Sequence, residues 1–177
     1  MSSAPKNIVT AMAAVLTAAP KAVRALAKAG ASGKWTHKDQ ADLLALLKPI
    51  FGLVENSYKS LGVVFGVQAG FVVEAEVISG VVLDLKHDCQ PYAYSFFAAS
   101  IGLSEGASGS AGIFLAPEVP SDLAKPAVFS DANFDLGGGV GVQVSADGQI
   151  MVVLGAGEEV EVSVGGGAAK VKKLKIA

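Results

Sequence analysis

The period of the apolar side chains changes near Ser60, and this change limits what the chain can fold into. Before Ser60, apolar residues recur every three or four positions, which is the spacing of one helix face. From position 63 to position 77 every odd residue is apolar, and the even residues are mostly glycine or polar. A period of two indicates a strand with one apolar face. We therefore predict an α+β protein, with a helical basic segment over residues 1–60 and a glycine-rich antiparallel β-domain over 61–177.

Two amphipathic stripes account for the helical segment. The first comprises Ile8, Met12, Val15, Leu16, Ala19, Val23 and Leu26. Pro20 lacks a backbone donor, so we expect it to kink or split this helix. Thr36 and Asp39 have the spacing of a capping box at the start of the second stripe. Pro49 and Gly52 interrupt that stripe and predict two short helices there.

Seven or eight strands are predicted in the β-domain, enough to close a barrel or form a sandwich. We expect the apolar face of the first strands to point inward and Ser79-Gly80 to turn or bulge the chain. Residues 92–103 are apolar on both faces, which predicts a central strand. Residues 104–112 are expected to form a turn. Asp147-Gly148 predicts a tight hairpin, and 169–176 a short final strand.

Charge is distributed unevenly along a chain whose formal net charge is only -2. Residues 1–35 contain five cations and no acid: Lys6, Lys21, Arg24, Lys28 and Lys34. Such a helix could lie in a membrane interface, pack on the β-domain or pair with another subunit. The candidate membrane- or partner-contact residues are Lys6, Lys21, Arg24, Lys28, Met12 and Leu16. The basic ends could equally pair with the acids of the chain's own body.

The start of the chain also has the outline of a signal peptide, a cation followed by an apolar run. The longest apolar run, over residues 61–73, is shorter than the roughly 20 residues that span a bilayer. We therefore expect no transmembrane helix, and a secreted or peripheral membrane location stays open.

Few residues suit catalysis. The chain has two histidines and one cysteine, Cys89. His87 and Cys89 are expected to share a strand face near Asp84 and Asp88. We interpret this patch as a structural loop, with catalysis as an alternative.

No metal or cofactor is predicted. Residues 131–135 imitate a calcium loop but lack its closing glutamate, so an Asx-rich turn is favoured. The glycine clusters lack phosphate-loop and dinucleotide spacing. Glu74 and Glu76 are interpreted as a solvated barrel exterior. Few aromatic residues and an acidic sheet disfavour nucleic acid as a partner.

Residues 76–82, the Gly/Ser-rich stretch 103–112, the Asp147-Gly148 hairpin and residues 162–167 resemble the virulence-associated (Vap) family of small secreted bacterial β-barrels. The resemblance is one of pattern and order and covers roughly residues 71–167. It implies a compact eight-stranded antiparallel barrel, no known enzyme site, and action at host endolysosomal membranes. The helical first 60 residues depart from that family.

Together these observations predict a non-enzymatic β-barrel protein that associates with a membrane or lipid, of the secreted virulence-effector type. The alternative is a structural or interaction protein, whose N-terminal helices mediate oligomerisation or docking to a larger assembly.

Overall fold

The structure is a computed structural model that describes residues 3–54, 57–69, 73–101, 108–123, 126–137, 140–144, 148–154 and 162–177. Parts of its strands are described by backbone and register alone. Three helices come first: α1 (Ser3–Ala18), α2 (Pro20–Ala31) and α3 (His37–Phe51). Strands follow: β1 (Ser60–Ala69), β2 (Val73–Asp84), β3 (Gln90–Ile101), β4 (Ser108–Ala116), β5 (Pro126–Gly137), β6 (Val140–Val144), β7 (Ile150–Leu154) and β8 (Val162–Lys173). The predicted α+β class is confirmed.

The strands pair antiparallel in the order β1-β2-β3-β8-β5-β6-β7-β4. Because β4 also pairs with β1, the sheet returns to its first strand as a closed barrel. A short 3₁₀ turn (Pro120–Leu123) follows β4, and its Leu123 packs among the residues of the barrel interior.

The helix boundaries follow local chemistry closely. The chain divides at Ala19, and Pro20 occupies the first turn of α2, where a missing N–H costs nothing. At the start of α3, the Thr36 hydroxyl accepts from the Asp39 N–H and the Asp39 carboxylate accepts from the Thr36 N–H, both at 3.1 Å. The predicted interruption at Pro49 is wrong, because α3 continues through it to Phe51.

Several predicted strand boundaries are also wrong. Ser79 and Gly80 lie inside β2 instead of turning the chain, and residues 131–135 belong to β5 instead of an Asx-rich turn. β4 already begins at Ser108, and the final strand begins at Val162. The alternation of apolar residues did not reveal the hairpin between β1 and β2. Ala69 pairs with Ala75, so the odd positions of both strands lie on the same face and the period of two continues from one strand into the next.

One aromatic contact distinguishes the inside of the barrel from the outside. Tyr94 of β3 and Phe114 of β4 stack with ring centroids 5.3 Å apart, although β2 and β1 lie between their strands. The contact therefore crosses the interior. Val64, Ile78, Val82 and Met151 belong to the same buried cluster, which places the even positions of β1 and β2 on the inner face.

The prediction that the apolar odd face points inward is therefore wrong. Odd-numbered Val63 and Val81 form a second buried cluster with residues of the helices, on the outer face of the barrel. Side chains can fill the interior of an eight-stranded barrel, and glycines occupy inner positions 62, 80 and 112. The helices bury the odd-numbered face, while the inner face packs its own apolar cluster, which includes Val64, Val82 and Phe114.

Helices α1 and α2 cover different strands. α2 lies across β1 and β2, and α1 lies on β4, β6 and β7. A Cβ at Gly30 of α2 would collide with the Cβ of Val81, so this glycine sets the closest approach between helix and barrel. Met12, Leu16, Val23 and Ala27 are completely buried at this interface.

The last residues tie the helices to the barrel. Ile176 forms a parallel bridge with Trp35. The Ala177 N–H donates to the Trp35 carbonyl at 2.8 Å, and the His37 N–H donates to the Ala177 carbonyl at 3.1 Å. Trp35 is 1% exposed, and its indole N–H donates to Gln40 Oε1 at 2.7 Å.

Candidate functional site

The turn between β2 and β3 carries the residues that the sequence singled out for chemistry. His87 and Cys89 lie in this turn and not on a strand face, which corrects the prediction. The buried carboxylate of Asp84 accepts from the Lys86 N–H at 3.0 Å. Its other oxygen lies 2.8 Å from His87 Nδ1, which donates when that nitrogen carries the proton. An exposed imidazole is thus oriented by a buried carboxylate.

The Cys89 thiol is not prepared for nucleophilic attack. Partial burial raises its pKa above the ordinary value, and the negative charges of Asp88 and Asp84 raise it further. Because the thiolate is the nucleophile, this environment lowers its reactivity at neutral pH.

A hydroxyl also lies near this turn. Ser60 of β1 is the register partner of Asp84. Its side chain is completely buried, and Ser60 Oγ donates to the Glu118 carbonyl at 2.5 Å. The proton that a histidine base would remove is therefore already engaged with a backbone oxygen.

The turn instead joins three parts of the fold. Gln40 of α3 donates from Nε2 to the Cys89 carbonyl at 2.9 Å. Gln90 donates from Nε2 to the Leu174 carbonyl, also at 2.9 Å. Asp88 and Cys89 have φ values of 55° and 54°, which close the turn in the left-handed region. These contacts favour a structural role for the turn.

Among the residues that the structure describes, no three His, Cys, Asp or Glu side chains are close enough to hold a metal ion. The side chains of residues 131–135, the calcium-like stretch, lie outside the described set.

The predicted contact residues of the N-terminal segment divide into two groups. Met12 and Leu16 are 0% exposed because they pack between α1 and the outer face of the barrel. In this arrangement neither can touch a membrane or partner. Lys21, Arg24 and Lys28 are exposed on α2. Lys28 Nζ lies 5.9 Å from the ring centroid of Phe65 on β1. Lys6 belongs to α1, and its side chain is outside the described set.

An exposed apolar pair on the barrel wall was missed by the sequence reasoning. Val77 of β2 and Phe97 of β3 are register partners, and they are 44% and 56% exposed. Because residues 92–103 are apolar on both faces, we predicted a central strand there, and its exposed aromatic residue was not expected. The apolar residues on both faces of this stretch indicated that one face could be exposed, but the sequence does not show which part of the barrel wall the helices cover.

Comparisons of the chain with models of protein families, with curated proteins and with solved structures found no match. The resemblance to the Vap family stays a prediction. Within the described part of the chain, no single helix has the length and apolar composition to cross a membrane. The stretch Asn7–Ala18 and α2 meet those criteria only when taken together, and they are bent by 93°.

Proposed function

We propose that the chain is a non-enzymatic closed barrel that associates peripherally with anionic membrane surfaces. The observation that carries the proposal is the row of exposed cations Lys21, Arg24 and Lys28 on a helix whose apolar face is already buried. A helix packed in this way has cations to offer a surface but no apolar face to insert. The association is therefore electrostatic, and the helix stays on the barrel.

The expected strength follows from the number of cations. Each Lys or Arg close to an anionic membrane contributes about 1 kcal/mol at physiological ionic strength. Three exposed cations on α2 therefore supply weak, reversible binding. Because charges separated by more than a Debye length of about 10 Å at 0.1 M salt are largely screened, added salt should release the protein.

Vesicle co-sedimentation tests the proposal. The intact chain should sediment with vesicles of phosphatidylglycerol and phosphatidylcholine at low salt, and should remain in the supernatant at high salt or with phosphatidylcholine alone. The double variant Lys21→Glu/Arg24→Glu should lose most of this binding. Its matched control, Lys38→Glu/Lys48→Glu, makes the same charge change at exposed positions of α3. Equal recovery of the intact chain in the supernatant with and without anionic vesicles would refute the proposal.

The burial of the helix faces favours a second candidate, a structural or interaction protein. Because the apolar faces of the helices are buried against the barrel, helices and barrel form one rigid unit, and such a unit can serve as a component of a larger assembly. Light scattering of the intact chain over a series of concentrations, without lipid, tests self-association. A constant monomer mass removes self-assembly from this candidate.

A further inference from the structure

The strand register divides the barrel into an inner and an outer surface with very different charge. Outer positions share a face with Val63 and Val81, and inner positions share a face with Val64 and Val82. The acids of the described strands fall on inner positions: Glu74, Glu76, Asp84, Asp131 and Asp135. The side chains of Glu74 and Glu76, interpreted from the sequence as barrel exterior, lie outside the described set. On the outer positions of these strands, the charged residues are Lys170 and Lys172 of β8.

The helices cover only part of this outer surface. Among the described side chains, α1 and α2 cover Leu61 and Val63 of β1, Val81 of β2 and outer residues of β4, β6 and β7. On β3, the half-buried Ala93 still packs against this cluster, whereas Ser95 and Phe97 are exposed. The uncovered region, which we call the β3–β8 wall, comprises Val77, Ser95, Phe97, Lys170 and Lys172.

Apolar residues and cations are arranged in order on the β3–β8 wall. Phe97 lies directly opposite Val77, and the next outer residue of β3, Ser95, lies opposite Lys170. Lys172 follows one step further along β8, opposite Ala93. On the other side, Lys28 reaches over Phe65, whose register partner is Ser79, the next outer residue after Val77. These cations thus lie toward the Ala93 end of the wall from Phe97, on both sides of the Ser79–Ser95 row.

We propose that the β3–β8 wall is the surface that contacts the bilayer, with Phe97 and Val77 entering the boundary between headgroups and acyl chains. Lys170, Lys172 and Lys28 then contact the lipid phosphates. This inference rests on the proposed membrane association and extends its contact surface from the cations of α2 onto the neighbouring wall. Exposed apolar residues beside cations suit an anionic lipid interface, where buried apolar area and electrostatic attraction both contribute to binding.

A second copy of the chain fits this surface less well. A two-fold interface places the same patch of both subunits in contact, so both facing surfaces would carry the charges of Lys170 and Lys172. Like charges brought together in this way oppose association. An anionic lipid surface complements both lysines.

A fluorescent reporter tests the position of the wall. In Phe97→Trp, the new indole should be quenched by brominated lipid chains in phosphatidylglycerol vesicles, and its emission should shift to the blue. The matched control is Leu53→Trp, because Leu53 is also an exposed large apolar residue, at 43%, but lies between α3 and β1. Its indole should not be quenched. Trp35 is buried and contributes the same background to both variants.

Loss of affinity provides the second readout. The variant Phe97→Ser should bind anionic vesicles at least about tenfold more weakly, because an aromatic side chain no longer leaves water. Leu53→Ser should bind as the unmodified chain does. Lys170→Glu/Lys172→Glu should weaken binding more than Lys38→Glu/Lys48→Glu. The emission of Trp35 checks that each variant is folded. If Phe97→Ser does not fold, the quenching of Phe97→Trp alone tests the proposal.

The outcomes separate the two proposals. If the intact chain does not bind anionic vesicles, both fail. If it binds but Phe97→Trp is not quenched and Phe97→Ser binds normally, the wall is refuted while membrane association stands. A dimer in light scattering that Phe97→Ser abolishes would assign the wall to a second copy and overturn the lipid assignment.

Discussion

At the scale of single residues, close packing between α2 and the barrel depends on one missing side chain. Gly30 faces Val81, and any larger residue there requires the helix or the strand to move. Helix propensity alone would favour alanine over glycine by about 1 kcal/mol. The glycine is therefore explained by tertiary contact and not by local conformation.

Gly30→Ala should lower the free energy of unfolding by about 1 kcal/mol, because overpacking costs roughly 1–3 kcal/mol and the gain in propensity offsets part of it. Urea denaturation followed by circular dichroism measures the change. Gly52→Ala is the control, since a Cβ at Gly52 meets nothing within 4 Å and its φ is −68°. That variant should be neutral or slightly more stable. A Gly30→Ala protein more stable than the parent would contradict the observed approach.

Because of Cys89, we expect the free energy of unfolding to depend on pH in the alkaline range. Its folded-state pKa is raised above the ordinary 9.0 by burial and by Asp88 and Asp84. Below pH 9.0 the thiol is protonated in both the folded and the unfolded chain, so its contribution to stability is fully present. As the pH rises through the folded pKa, that contribution is lost.

Urea denaturation across this pH range should show a smaller alkaline loss of stability in Cys89→Ser than in the parent. Iodoacetamide should also react more slowly with folded Cys89 than with the urea-unfolded chain at the same pH. Equal reaction rates in the two states would show that the raised pKa and partial burial do not protect the thiol.

At the scale of elements, the apolar stripe of α1 holds this helix on the barrel. Leu16 is completely buried, whereas its neighbour Thr17 is exposed and bonds only within the helix. The same stripe suggested membrane insertion from the sequence. In the structure this stripe packs against the outer face of the barrel and not against a membrane.

Leu16→Ala should cost about 2–5 kcal/mol of unfolding free energy, the range found when a buried leucine leaves a cavity. Thr17→Ala, at the adjacent exposed position, should change stability by about 0.5 kcal/mol or less. Chemical denaturation of both variants measures the difference. A Leu16→Ala protein as stable as Thr17→Ala would mean that α1 is not docked on the barrel in solution.

At the scale of the whole molecule, distant parts of the chain meet around Trp35. The backbone of Trp35 bonds to residues 176–177, and its indole N–H donates to Gln40, which in turn donates to the β2–β3 turn. This junction holds the helices on the barrel at one point through backbone hydrogen bonds. Because the chain contains one tryptophan, its emission reports the junction directly.

Removal of residues 176–177 should expose Trp35 and shift its emission to the red, with a loss of stability. The backbone bonds to Ala177 and the bridge to Ile176 disappear together, and each lost hydrogen bond contributes about 0.5–1.5 kcal/mol. Lys175→Ala, at an exposed position beside them, should leave the emission unchanged. Native emission from the shortened chain would show that the tail does not cover the ring.

The sequence by itself determined the elements that depend on local chemistry. The change of period near Ser60 separates helices from strands, Pro20 starts α2, and Thr36 with Asp39 caps α3. Val142 and Val152 pair across the last predicted hairpin. These features depend only on interactions between residues close in sequence or paired across one turn, so they can be predicted from the sequence.

Only the tertiary structure decided which strand face is inside and what covers the other. Alternation shows that Val63 and Val81 share a face, but not whether that face points into a barrel or lies under a helix. Both faces are apolar where they are buried: the inner face packs on itself across the barrel, and the helices cover the outer face. The same choice buries Met12 and Leu16 and leaves Phe97 uncovered. The candidate surface depends on how helices and barrel share apolar area, which no short stretch of sequence encodes.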